Sequence, residues 1–143
     1  MAVGSLIGSY SHTIDVKGRM AFPNKLRERL GACFIVTIGL EGCLYVYSEE
    51  EWENFVERLN TLSGPKAKAA KRRYASNAVL VEPDKQGRIL IPQNLRDHAE
   101  LDHDVTVAGV FNHAEIWDSV KWEEHNSTYS DEELSVTTEE VDF

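Results

Sequence analysis

The stretch DVKGRMAFPNKLRERL, residues 15–30, decides the fold because the chain writes it twice. From Asp84 the sequence reads DKQGRILIPQNLRDHA. Overlaid, Asp84 falls on Asp15, Gly87 on Gly18, Arg88 on Arg19, Pro92 on Pro23, Leu95 on Leu26 and Arg96 on Arg27. Each copy joins an apolar run to a charged turn with a single glycine. A second apolar run follows, then proline and a short helical pattern. A duplicated unit predicts a pseudo-symmetric protein with two equivalent turns.

Outward from the first copy, Ser9 to Asp15 is predicted to be a strand. Gly18 supplies the turn with cheap access to positive φ, and Asp15 can accept hydrogen bonds from nearby backbone N–H groups. Met20 to Phe22 resumes as a strand, and Pro23 suits the first turn of a helix, where its missing N–H costs nothing. That helix, Pro23 to Leu30, places Leu26 and Leu30 on one face, and Gly31 ends it. Ala32 to Gly39 reads as a buried β-branched strand, Glu41-Gly42 as a turn, and Leu44 to Tyr47 as the next strand. Ser48 with Glu51 forms a capping-box pattern for a helix carrying Trp52, Phe55, Val56 and Leu59, a packing stripe. Lys66 to Ala75 follows as a short Lys/Arg- and Ala-rich helix.

The repetition continues downstream. VTVAG at Val105 to Gly109 falls on IVTIG at Ile35 to Gly39, and Trp122 falls on Trp52. These later matches need one more residue of offset than the turns do. The chain therefore divides into a first unit at 9–52, linking helices at 53–77, a second unit at 78–122 and an acidic tail at 123–143. The tail lacks large apolar residues and is expected to be largely mobile, although Ser130 and Glu133 stand at capping-box spacing. The expected fold class is α+β, mainly β: two pseudo-symmetric β-α-β half-units around one shared β core with flanking helices.

The net charge of −9 over 143 residues conceals a segregated distribution. Residues 123–143 hold Glu123, Glu124, Asp131, Glu132, Glu133, Glu139, Glu140 and Asp142 without a Lys or Arg, and without them the body is almost neutral. Residues 1–30 carry Lys17, Arg19, Lys25, Arg27 and Arg29 against Asp15 and Glu28. A second basic run, Lys66, Lys68, Lys71, Arg72 and Arg73, contains no acid, and suits a solvated helix face, support against phosphates, or acidic surface on a neighbouring subunit. An acidic total does not exclude nucleic acid, because binding follows the local field of a patch. No apolar run approaches a membrane span, and the N-terminus lacks the pattern of a secretory signal. Cys33 and Cys43 read as reduced cysteines in a cytosolic protein.

Catalytic constellations are weak. Asp15 and Asp84 could meet at a pseudo-twofold axis as in acid proteases, but each is followed four residues later by an Arg that would hold it ionised. The five histidines, His12, His98, His103, His113 and His125, are scattered, so no zinc spacing exists. No phosphate-binding glycine loop or nucleophile elbow is present. The sequence therefore predicts no enzyme, no cofactor, no metal and no small-molecule substrate. What remains is the turns. A Lys17-Gly18-Arg19 hairpin tip can set a bidentate guanidinium and a point charge against a phosphate or a guanine edge. Arg88 beside Gly87 offers less, with Gln86 where the first copy has Lys17. The alternative is an Asp–Arg pair that only shapes the turn.

The duplicated D-x-x-G-R turn, each with a short apolar strand, Pro and a Leu-Arg helix after it, resembles the SpoVT/AbrB-like swapped-hairpin proteins. Two such units separated by a Trp helix and a basic helix resemble the MraZ family over residues 6 to 122. The resemblance implies a bacterial DNA-binding transcriptional regulator, mostly a repressor, located in the cytoplasm at the nucleoid. It further implies a homo-oligomeric ring binding short direct repeats in double-stranded DNA upstream of the division and cell-wall gene cluster. It assigns DNA contact to Lys17, Gly18, Arg19 and Arg88, with Lys25, Arg27 and Gln86 as secondary candidates. Asp15, Asp84 and Gly87 shape the turns. The reading from another class is a ring-forming protein-interaction module in which both Asp–Arg turns are structural.

Overall fold

The computed structural model describes residues 5–141. The first unit contributes β1 (Ser9–Thr13), β2 (Arg19–Ala21), α1 (Asn24–Leu30), β3 (Phe34–Ile38), β4 (Leu44–Ser48) and α2 (Glu49–Asn60). Helix α3 (Pro65–Ser76) leads into the second unit: β5 (Val79–Val81), β6 (Arg88–Leu90), α4 (Gln93–Ala99), β7 (Asp104–Gly109), β8 (Ala114–Asp118) and α5 (Ser119–Asn126). A last helix, α6 (Asp131–Thr138), follows. The fold is mixed and mostly antiparallel β, with two repeated units in one chain.

The sheet order shows how the repeats combine. Six strands run β1-β7-β8-β4-β3-β5, and β2 and β6 form a separate two-stranded ribbon. Exchanging each first-unit strand for its counterpart reverses this order onto itself, so a pseudo-twofold axis passes between β4 and β8. The partners are exchanged across that axis. β1 pairs with β7 of the other unit, β5 pairs with β3, and β2 pairs with β6. Neither unit completes its own sheet, so the halves cannot be separated without exposing strand edges.

The apolar pattern explains the layering. β3 is buried along its whole length, Phe34 to Ile38, as a β-branched central strand should be. Met20 and Ile89 beneath the ribbon, with Leu26 and Leu95 from α1 and α4, are at most 2 % exposed and join one core. Truncating either leucine to alanine would cost roughly 2–5 kcal/mol by cavity formation. Ser48 caps α2 as its spacing predicts, its hydroxyl accepting from Glu51 N–H at 3.1 Å.

One local expectation changes. Pro23 and Pro92 do not open their helices. Both have extended ψ, 125° and 156°, and stand at the N-cap just outside the first helical residue. The acidic end holds the short helix α6, where the capping-box spacing of Ser130 and Glu133 forms a full capping box. Every described residue from Glu123 onward is exposed, so α6 rests on local capping and not on packing.

Candidate nucleic-acid interface

Each turn is built by one aspartate. In the first, Asp15 Oδ1 accepts from the backbone N–H of Lys17 and of Arg19, both at 2.9 Å, and Oδ2 accepts from Arg19 Nε at 3.0 Å. In the second, Asp84 accepts from Gln86 N–H and Arg88 N–H at 2.9 Å and from Arg88 Nε at 3.1 Å. The Asp–Arg pair therefore closes within its own turn. Backbone donation from Arg19, reinforced by its guanidinium, holds Asp15 below the usual carboxylate range, and Arg88 does the same for Asp84. Pairing through Nε fixes each guanidinium while its other N–H groups make no bond to a described residue. The two arginine side chains are equally open, 44 % and 40 % exposed.

The ribbon brings the two arginines together. Its register sets Arg19 opposite Leu90, Met20 opposite Ile89 and Ala21 opposite Arg88. Met20 and Ile89 face the core, so strand alternation puts Arg19, Ala21, Arg88 and Leu90 on the outer face. Arg19 and Arg88 are diagonal neighbours on that face, with Cα atoms roughly 7–8 Å apart. Residues far apart in sequence thus form one surface: two guanidiniums on a two-stranded ribbon, a shape that a DNA major groove admits. The turn tips flank it, with exposed Val16 and Lys17 on one side and exposed Lys85 and Gln86 on the other.

Each turn is also held by the opposite unit. Ile91 N–H donates to Gly18 O at 2.7 Å and Phe22 N–H to Gly87 O at 3.0 Å. Arg96 of α4 donates to Val16 O at 3.1 Å and to Ile91 O at 2.9 Å, gripping the first turn. Arg27 of α1 lies over Gly87, where a Cβ would stand 2.8 Å from its guanidinium, and donates to Phe22 O and to Asn24 Oδ1. Gly18 and Gly87 are buried, at φ +90° and +77°. Both conditions exclude a larger residue.

Of the candidate residues, Lys17, Arg19, Arg88 and Gln86 meet on the ribbon and its tips, while Gly18, expected to contact DNA, is buried beneath the first turn against Ile91 and Arg96. Lys25 lines a separate shallow groove with Gly8, Tyr10 and Glu28, and Arg27 is engaged with the opposite turn. Sequence reasoning missed two residues. Lys85 gives the second tip its own cation. Aligning Gln86 with Lys17 hid it, although the lysine stood one position away. Arg96 as a brace was signalled only by the repeated Leu-Arg pair. Among the described residues no three His, Cys, Asp or Glu side chains could hold a metal ion, and no helix is long and apolar enough to cross a membrane.

The family model MraZ, described as "MraZ protein, putative antitoxin-like", matches residues 6–73 and again 74–142. The chain belongs to the MraZ family. Each match carries one Asp–Arg turn and one ribbon strand, so the MraZ repeat and the duplicated stretch are the same feature. A protein of Lachnoclostridium phytofermentans named "Transcriptional regulator MraZ" is 50% identical over 127 residues, 88% of this chain and 90% of that protein. One of the same name from Thermoanaerobacter sp. (strain X514) is 50% identical over 134 residues, 91% and 94% of the two chains. Another, from Thermoanaerobacter pseudethanolicus, is 48% identical over 142 residues, 96% and 99%.

Proposed function

We propose that this MraZ-family chain is a sequence-specific DNA-binding transcriptional regulator, a repressor, whose reading surface is the outer face of the β2–β6 ribbon. In this reading Arg19 and Arg88 contact DNA from the ribbon and Lys17 and Lys85 engage phosphates from the tips, while Gly18, buried against Ile91 and Arg96, shapes the first tip without touching DNA. The single observation that carries it is the convergence of the two arginines on one exposed ribbon face, with a lysine at each tip. The names of the relatives support the regulatory part.

Four cations are too few for stable binding at physiological salt, because each phosphate neutralised contributes only one step of counterion release. The reading therefore includes a ring of copies that presents several ribbons to short direct repeats, gaining by effective concentration. Direct repeats match a head-to-tail contact better than a twofold one. The target would be the division and cell-wall gene cluster, and the protein would act in the cytoplasm at the nucleoid.

A second reading, in which the turns are purely structural within a protein-interaction ring, draws on the Asp–Arg pairing in both turns. A gel shift on the protein's own upstream region separates the two. Arg19→Ala and Arg88→Ala should each weaken binding while circular dichroism and mass stay as in the wild type. Undiminished binding by both folded variants would leave the structural reading standing. Phosphate-dominated binding must also weaken steeply as salt rises.

A further inference from the structure

Helices α3 and α6 occupy equivalent places in chain order, one after α2 and the other after α5, but their chemistry is opposite. α3 carries Lys66, Lys68, Lys71, Arg72 and Arg73 with no acid. Among the described residues no ion pair reaches any of the five. Residues 123–140 carry Glu123, Glu124, Asp131, Glu132, Glu133, Glu139 and Glu140, with no Lys or Arg and no ion pair of their own. Two unpaired surfaces of opposite sign thus sit on one chain without meeting.

Their packing differs as well. α3 is fastened to its own sheet: Thr37 Oγ1 donates to Tyr74 O at 2.8 Å, and the Tyr74 ring meets Phe55 edge-on at 5.1 Å. Beside it lies a groove of about 290 Å³ floored by Leu40, Ala69, Ala70 and Tyr74 and rimmed by Lys66 and Arg73. Leu40 there is 63 % exposed. α6 packs on nothing, and exposes Leu134 and Val136 among its acids. An acidic helix with aliphatic side chains matches an apolar groove with a basic rim in both charge and polarity.

We propose that the α3 groove of one copy receives helix α6 of a second copy, with Leu134 entering the groove and the rim residues Lys66 and Arg73 facing Asp131 and Glu133, which straddle Leu134 on the helix. Each copy then has one groove and one helix, which is a heterologous contact that propagates from copy to copy, the type of contact a ring requires. The proposal rests on the oligomer part of the function proposed above and not on its DNA part.

The test is the mass in solution without DNA, by light scattering, for two charge-swapped chains. The groove variant is Lys66→Glu with Arg73→Glu, and the helix variant is Asp131→Lys with Thr138→Lys, on the Leu134 side of α6 and clear of the Ser130–Glu133 cap, all at exposed positions. Each alone should fall from the wild-type mass toward the single chain. Mixed in equal amounts they should recover it, since groove-Glu then meets helix-Lys and the wild-type groove meets the wild-type helix. One chain carrying both swaps should assemble by itself, which guards against misfolding of either variant. Raising salt to 1 M, where screening reaches about 3 Å, should lower the wild-type mass. Swapped chains that keep the wild-type mass, or a mixture and a doubly swapped chain that both fail to recover it, would overturn the proposal and leave the oligomer reading intact. A monomeric wild-type protein would overturn both.

Discussion

The two Asp–Arg turns are the most informative pair of regions in this molecule, because symmetry holds one part of them constant and lets another vary. Their frames are almost superposable: the same three bonds to the aspartate, equal within 0.1 Å, and a buried glycine at positive φ. Their tips differ, Val16-Lys17 against Lys85-Gln86. Their braces differ too. Arg96 bonds the first turn through Val16 O, while Arg27 covers Gly87 and spends its bonds within its own unit. The frame is what folding needs, and the tips are where binding can be tuned.

The glycines should break this symmetry most strongly. A Cβ at Gly18 would collide with the carbonyl oxygen of Ile91, which is backbone and cannot yield, and with Arg96 Nε at 2.8 Å. At Gly87, besides the positive φ that both glycines share, the obstacle is the far end of the Arg27 side chain, which can shift where a backbone carbonyl cannot. Gly18→Ala should therefore cost roughly 2–4 kcal/mol and Gly87→Ala roughly 1–2 kcal/mol, read as shifts in urea midpoint. Equal losses would mean that the close approach at Gly18 does not matter.

The braces come next. Arg96→Ala leaves the part-buried Ile91 carbonyl without its donor and releases the Val16 carbonyl of the opposite turn to water. It should destabilise by roughly 1–2 kcal/mol, against about 1 kcal/mol for Arg27→Ala, which loses its bond to one part-buried carbonyl and no bond to the opposite turn. In DNA binding, Arg19→Ala and Arg88→Ala should each lose roughly 10- to 100-fold, within a few-fold of one another, because the ribbon exposes both alike. A large loss at Arg19 with none at Arg88 would restore the inequality that the lysine pattern alone suggested. Lys17→Gln and Lys85→Gln should each lower the slope of log affinity against log salt by about 1.

The smallest effect concerns pH. Both aspartates are held below their usual range, so the unfolded chain binds protons first on acidification. Their contribution to stability is complete above the ordinary aspartate range and lost as pH falls through the depressed values. Asp15→Asn and Asp84→Asn should each flatten the acid limb of a stability–pH curve, and should do so equally.

Much of this was legible in the sequence because it is local. The duplication, the strands, the capping of α2 by Ser48 and the turn-shaping of Asp15 and Asp84 follow from spacing and residue type. The exchange of strands was not. Alternation tells which face of β1 is buried but not that its partner is β7, a pairing fixed only when both halves are present. For the same reason Arg27 read as surface charge, though its guanidinium lies on a glycine of the other unit. Lys85 was readable and was masked by strict alignment of the repeats. α6 was visible in its capping residues, and its lack of packing in the tail's poverty of large apolar residues.

The claim at the centre is that DNA lies on the outer face of the β2–β6 ribbon. Leu90 stands on that face opposite Arg19, 56 % exposed, and Val120, 68 % exposed, is on α5, which packs on β7 and β8. A photo-crosslinking amino acid placed at each position in turn, with the protein bound to its own upstream region, tests the claim directly. Crosslinking from position 90 and none from position 120 is the predicted result. Crosslinking from position 120 with none from position 90 would contradict it.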